Sequence, residues 1–324
     1  MNPKEVRIIF MGTPDFAVES LKALVENGYN VVGVITAPDK PAGRGQQLSE
    51  SAVKQYALKS GLRILQPEKL KNPDFIAELQ SLNADLQIVV AFRMLPEIVW
   101  AMPPMGTFNL HGSLLPQYRG AAPLNWAVIN GETETGVTTF LLSHEIDTGK
   151  IMFHEKTSIG ENDSVGDIHD RLMIIGAKLV LKTVDALANG EVEAIDQDVL
   201  VESVGHIKHA PKIFKDDCRI DWTKDMVSVR NLIRGLSPYP TAWTELAHNE
   251  KNETLTAKIF AASFDYSMPG APGTIQSDGK KFLKIACPDG WLSITDIQLS
   301  GKKRMKIEEL LRGFHDLGSW KVKM

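Results

Sequence analysis

The chain has 324 residues, 43 % of them apolar and 23 % charged, and a net charge of −4. That length predicts two domains, and the composition is that of an ordinary soluble globular protein. Cys218 and Cys287 are the only cysteines and lie far apart, which argues against a disulfide framework or a paired-cysteine metal site and for a reducing cytoplasm. No apolar run approaches the ~20 residues that span a bilayer, and Met1–Val6 leads straight into a strand, so neither a membrane anchor nor a signal peptide is expected.

Val6–Met11 is a short apolar run of the kind that forms a buried parallel strand. Thr13 as N-cap, Pro14 at the first helical position and Asp15 in the first turn predict a helix from about Phe16 to Asn27, closed by Gly28. Val31–Thr36 follows as a strand. This is a Rossmann-like start, but it carries no G-x-G-x-x-G fingerprint, and nucleotide binding is accordingly a weak reading. Ala37–Ser49, with Pro38, Pro41, Gly43 and Gly45, is expected to be a loop without regular structure. Glu50–Ser60 and the stretch from Pro73 to about Leu82 pattern as helices, and Leu86–Ala91 as a strand. Further on come a helix over Ala121–Asn130, a strand over Val137–Leu142 and a long amphipathic helix from Ser164 to about Asn189.

Thr107–His111 alternates with period 2, which places Asn109 and His111 on one face of a strand. Gly112 ends it, and Ser113–Pro116 opens a loop that Gly120 closes. Asp147 follows the apolar run Val137–Leu142, so both polar clusters leave strand C-termini, where open α/β sheets bind ligands. A lone histidine there has an ordinary structural reading. An amide, an imidazole and a carboxylate together suit acyl transfer: two oxyanion donors, and a group that steadies the imidazolium and passes protons.

Asn109-x-His111, Ser113-Leu114-Leu115-Pro116, Arg119-Gly120, Pro123 and Asp147-Thr148-Gly149 together resemble the folate-dependent formyltransferases, over essentially the whole chain. Within that family the similarity is to the branch acting on initiator methionyl-tRNA, in which a Pro-Ala-Gly-Arg-Gly loop enters the acceptor end. Pro41-Ala42-Gly43-Arg44-Gly45 matches it. The resemblance implies a Rossmann-like formyltransferase domain over 1–189, a linker over 190–208 and a smaller OB-like β-barrel domain over 209–324. It implies 10-formyltetrahydrofolate as the formyl donor, methionyl-initiator tRNA as the acceptor, and no metal, in a cytoplasmic monomer. By the same resemblance Asn109, His111 and Asp147 are catalytic. Ser113, Leu114, Leu115 and Pro116 line the folate site, and Arg44 touches tRNA. Phe92-Arg93-Met94-Leu95-Pro96 departs from the family's usual run after the alanine. Arg93 there either substitutes in the pterin pocket or points to solvent.

In the second half, a helix is expected over Ser228–Gly235, then short strands over Thr254–Ser263, Gly273–Ile275, Phe282–Ala286 and Trp291–Leu299, and a last helix over Ile307–Arg312. Residues 1–208 hold 18 Lys+Arg against 26 Asp+Glu, and residues 209–324 hold 18 against 14. A basic second half fits either a gripped polyanion or a chance surface imbalance. With an OB-like domain, Lys212, Lys215 and the run Lys302-Lys303-Arg304-x-Lys306 become candidates for following RNA phosphates. His206 and His209 lack a third ligand and read as solvated linker residues. Three competing readings stand: a formyltransferase for a sugar amine or a glycinamide nucleotide, a formyl-folate hydrolase or dehydrogenase module, and a non-catalytic RNA-binding module.

Overall fold

Two apolar runs, β1 (Ile8–Gly12) and β6 (Leu86–Val90), lie side by side in a seven-stranded sheet with every residue buried. The computed structural model describes residues 1–42, 47–314 and 317–324. They form two compact units: 1–120, 134–157 and 169–209 make the first, and 121–133, 158–168 and 210–324 the second.

In the first unit, β1 is followed by α1 (Asp15–Glu26), β2 (Val31–Ile35), the two-stranded ribbon β3 (Lys40–Ala42) and β4 (Gln47–Ser49), α2 (Ala52–Lys59), β5 (Ile64–Leu65) and α3 (Pro73–Ser81). After β6 come α4 (Glu97–Trp100), β7 (Thr107–His111) and β8 (Arg119–Gly120). Next in chain order come α5 (Pro123–Ile129), which belongs to the second unit, then β9 (Glu134–Leu141), β10 (Ile151–Ser158), the long α6 (Val165–Asn189), whose first turn is counted with the second unit, α7 (Gln197–Val204) and β11 (His209–Ala210). The strand order is β10-β9-β7-β6-β1-β2-β5. The β5-β2-β1-β6-β7 part is parallel, which is why its central strands are continuous apolar runs. β9 pairs antiparallel with β7.

Several expectations need correction. The N-cap of α1 is Pro14, not Thr13, and it makes no side-chain cap bond. Ala37–Ser49 is not irregular throughout. β3 and β4 pair antiparallel, and Pro41 is tolerated because an isolated ribbon leaves room for a residue without an N–H. The base of that ribbon is tied by the Lys54 ammonium, which bonds Asp39 on one side and Glu50 (3.0 Å) on the other. β10 was not expected: only Ile151 and Met152 are buried, and its exposed polar half hides the pattern, as suits an edge strand. The stretch 190–208, read as a linker without a sustained period, carries α7, capped by the Asp196 carboxylate accepting from the Asp198 N–H.

The second unit is a nearly closed antiparallel barrel with α8 (Met226–Gly235) against it. Its strands are β12 (Ala242–His248), β13 (Thr254–Asp265), β14 (Ile275–Ser277), β15 (Leu283–Cys287), β16 (Gly290–Leu299), β17 (Met305–Lys306) and β18 (Trp320–Val322), with α9 (Ile307–Leu311) between the last two. The order is β14-β15-β16-β13-β12-β18, and the Val322 N–H donates to the Gly273 carbonyl at 3.3 Å, drawing the two ends together. Trp222, Ile259, Leu292 and Ile294 fill the core. α5 packs on α8 so closely that a Cβ on Gly235 would lie 2.5 Å from Ile129.

Candidate active site

β7 places Asn109 and His111 on one face, as its alternation demands. His111 is 7 % exposed. Its Nε2 lies 2.9 Å from the Tyr118 carbonyl oxygen. A carbonyl only accepts, so Nε2 carries the hydrogen and donates, which leaves Nδ1 for another partner. Nδ1 faces Asp147 Oδ2 at 3.9 Å, an ion-pair distance when the ring is protonated and too long for a direct hydrogen bond. Tyr118 takes a left-handed backbone conformation (φ 60°) at the turn that aims this carbonyl. Asn109 is half-buried, and among the described residues its carboxamide has no hydrogen-bond partner.

Asp147 arrives by a route that strand-end reasoning does not anticipate. β9 is antiparallel to β7, with Leu141 opposite Phe108 and Thr138 opposite His111. The C-terminal end of β9 is therefore at the wrong end of β7, about 10 Å from His111 at ~3.3 Å per residue. The loop 142–150 folds back to close that gap. Asp147 itself has φ 56°, and Gly149 passes so near β9 that a Cβ there would stand 1.6 Å from the Leu141 carbonyl oxygen. Three bonds hold the reversal: the Gly120 N–H donates to Asp147 Oδ2 (2.9 Å), and the Gln197 side-chain amide donates to the Asp147 and Gly149 carbonyls (2.9 and 2.7 Å). Reading the sequence missed Gln197. It is one uncharged polar residue among acidic ones, with no local signal.

The Ser113–Pro116 loop is largely turned into the protein. The Ser113 hydroxyl donates to the Gln117 carbonyl (2.6 Å), the Thr138 hydroxyl donates to the Ser113 carbonyl, and the Leu115 N–H donates to Thr138 Oγ1. Leu115 is buried with Phe140 and Ile151, Pro116 is buried, and Leu114 is half-buried over Gly136. Arg93 is exposed, as one of the two expectations had it, and its guanidinium donates to the carbonyls of Pro67 and Glu68. The loop after β6 lines a groove of about 610 Å³ with Leu70, Lys71, Met94, Leu95, Pro96, Glu97 and Ile98. None of Asn109, His111 or Asp147 lines it.

Arg44 lies outside the described residues. In the second unit, Lys212 and Lys215 are exposed. The Lys212 ammonium is 5.4 Å from the Phe214 ring, and Lys215 and Arg219 flank the Trp243 ring at 5.7 and 5.9 Å. Arg304 and Lys306 pair instead with Asp296, at 3.4 and 2.7 Å. No cluster of three or more metal-ligating side chains occurs among the described residues, and no helix there is long and apolar enough to cross a membrane.

The chain belongs to the formyl transferase family: the formyl transferase model matches residues 6–184, and the model of the family's C-terminal domain matches residues 212–315. A narrower likeness is to proteins described as methionyl-tRNA formyltransferase. That of Bacteroides thetaiotaomicron is 58 % identical over 323 residues, covering 99 % of this chain and 100 % of its own. That of Bacteroides fragilis is 57 % identical over 327 residues, covering 100 % and 99 %. Among solved structures, the N-formyltransferase of Helicobacter canadensis in complex with folinic acid and dTDP-3-aminofucose superposes with a TM-score of 0.62. It is 19 % identical and covers 93 % of this chain and 100 % of its own, a likeness of fold.

Proposed function

We propose that this chain transfers the formyl group of 10-formyltetrahydrofolate to the amino group of methionine on initiator tRNA. Full-length identity of 57–58 % to relatives described as methionyl-tRNA formyltransferase supports the substrates. The observation that carries the chemistry is His111, with Nε2 committed to the Tyr118 carbonyl and Nδ1 turned toward Asp147.

In this reading the α-amine attacks the formyl carbon, a C–N bond forms, and the carbonyl oxygen becomes an oxyanion. The unpartnered Asn109 amide and the protonated Nδ1 of His111 donate to it. Asp147 stabilises the imidazolium and accepts the amine's proton, directly or through water. Collapse breaks the bond to N10, which takes up a proton and leaves. Removing one oxyanion donor costs roughly 100–1,000-fold in rate, about 3–4 kcal/mol. Ser113, Leu114, Leu115 and Pro116 frame the folate site, with Leu114 the least enclosed of the four. Arg44, and Lys212 and Lys215 in the second unit, hold tRNA. Phe214 and Trp243 beside those lysines suit a surface that meets both phosphates and bases. The first unit is the catalytic one and the second an RNA-binding one, acting as a cytoplasmic monomer.

Single-turnover formylation of charged initiator tRNA with 10-formyltetrahydrofolate tests this, with His111→Ala and Arg44→Ala beside wild type. The expected result is fast transfer by wild type, a rate defect in His111→Ala and weaker tRNA binding in Arg44→Ala. Folate turnover with water or a small amine, and none with tRNA, would overturn the acceptor assignment.

A further inference from the structure

We propose that Gln197 is a positioning residue for this reaction, holding Asp147 against His111 through the backbone of the loop 142–150; the role rests on the function just proposed. Gln197 is the first residue of α7 and is 1 % exposed. It lies between residues 184 and 212, in a stretch that neither family model covers.

Its side chain is fully committed. Arg119 donates through Nε and Nη2 to Gln197 Oε1 at 3.1 and 2.7 Å. The amide nitrogen must then be the atom facing the Asp147 and Gly149 carbonyls, which can only accept. Arg119 is followed directly by Gly120, whose N–H holds the Asp147 carboxylate at 2.9 Å. The result is a closed ring: the carboxylate to Gly120, Gly120 to Arg119, Arg119 to Gln197, and Gln197 back to the Asp147 carbonyl. Asp147 is thus gripped at both its side chain and its main chain. That grip matters because the loop runs against the direction β9 would carry it and holds a left-handed aspartate. α7 is itself anchored by Leu200, which packs on Leu115, Phe140 and Ile151.

Gln197→Glu is the discriminating variant. It keeps the shape and the acceptor for Arg119 but removes both N–H donors and turns a carboxylate toward the two loop carbonyls. A displacement of about 1 Å at a reacting group costs on the order of 100-fold. The single-turnover rate at saturating substrates should therefore fall by about that factor, while KM for neither substrate moves comparably. The decisive readout is a double-mutant cycle with Asp147→Asn. If Gln197 acts through Asp147, Gln197→Glu costs little more once Asp147 is already replaced. An equal loss on both backgrounds, or no loss on the wild-type background, overturns the proposal. Should Gln197→Glu not fold, Arg119→Met opens the same ring from its other side and carries the same cycle. A wild type that leaves methionyl-tRNA unformylated overturns the proposed acceptor. An active wild type with additive variants overturns only the role of Gln197.

Discussion

Gly149→Ala tests how the loop delivers Asp147. The added Cβ would sit 1.6 Å from the Leu141 carbonyl oxygen and 2.8 Å from its carbon, whereas ordinary contact begins at 3.4 Å. The shortfall to the oxygen is about 1.8 Å (3.4 − 1.6). Leu141 cannot easily retreat, because it is registered against Phe108 in the sheet and its N–H donates to the Lys150 carbonyl at 3.0 Å. The loop must move instead, and Asp147 is two residues from the clash. A shift near 2 Å would break the 2.9 Å bond between the Gly120 N–H and Asp147 Oδ2 and the 2.7 Å bond from Gln197 to the Gly149 carbonyl. Overpacking of this kind costs about 1–3 kcal/mol of stability. Misplacing the carboxylate by an ångström or more should lower the transfer rate by at least roughly 100-fold. Single-turnover formylation at saturating donor and tRNA reads the rate, and urea denaturation reads the stability. Gly28→Ala is the control: φ there is +72° with nothing within 4 Å of the new Cβ. It should cost about 1–2 kcal/mol of local strain and leave the rate alone. A folded Gly149→Ala enzyme with the wild-type single-turnover rate would refute the view that this loop places Asp147.

Three further expectations follow from the structure. Trp222 is 1 % exposed and its indole N–H donates to Thr244 Oγ1 at 3.2 Å, so Trp222→Ala should lower the unfolding free energy by about 3–5 kcal/mol in a urea titration. Burial raises the Cys218 thiol above its ordinary value and pushes Cys287 up to about 12, so an aromatic disulfide reagent at pH 8 should find no reactive thiol in the native chain and two after denaturation. Hydrogen bonds from Ser267, aided by Lys284, lower the Asp265 carboxyl from 3.8 to about 2. A depressed carboxylate stabilises the fold above its unfolded value, and that contribution fades as the pH falls from about 4 to about 2. Asp265→Asn should therefore melt below wild type at pH 7, with the gap narrowing toward pH 2.

What local chemistry dictates was legible in the chain itself. β1 is apolar end to end and β6 is apolar but for Gln87, because parallel strands bury both faces, and β7 shows its alternation openly, so the sequence alone places Asn109 and His111 on one face. α1 shows its apolar stripe and the Gly28 stop in the same way. β10 and α7 were not legible: one is an edge strand with a polar half, and the other a short helix amid acidic residues whose place is decided by Leu200 and Gln197 meeting distant partners. The approach of Asp147 to His111 was inferred from strand ends and family likeness, but its path was not. That path depends on β9 running antiparallel to β7, and β9, buried from Thr135 to Phe140 like the parallel strands of the same sheet, gives no sign of its reversed direction. The sequence by itself singled out Asn109, His111 and Asp147 and determined which face of β7 presents two of them. The tertiary structure decided how the third reaches them, because that needs a loop reversal held by Gly120 and Gln197, groups 27 and 50 residues from Asp147 whose nearness exists only once the chain has folded.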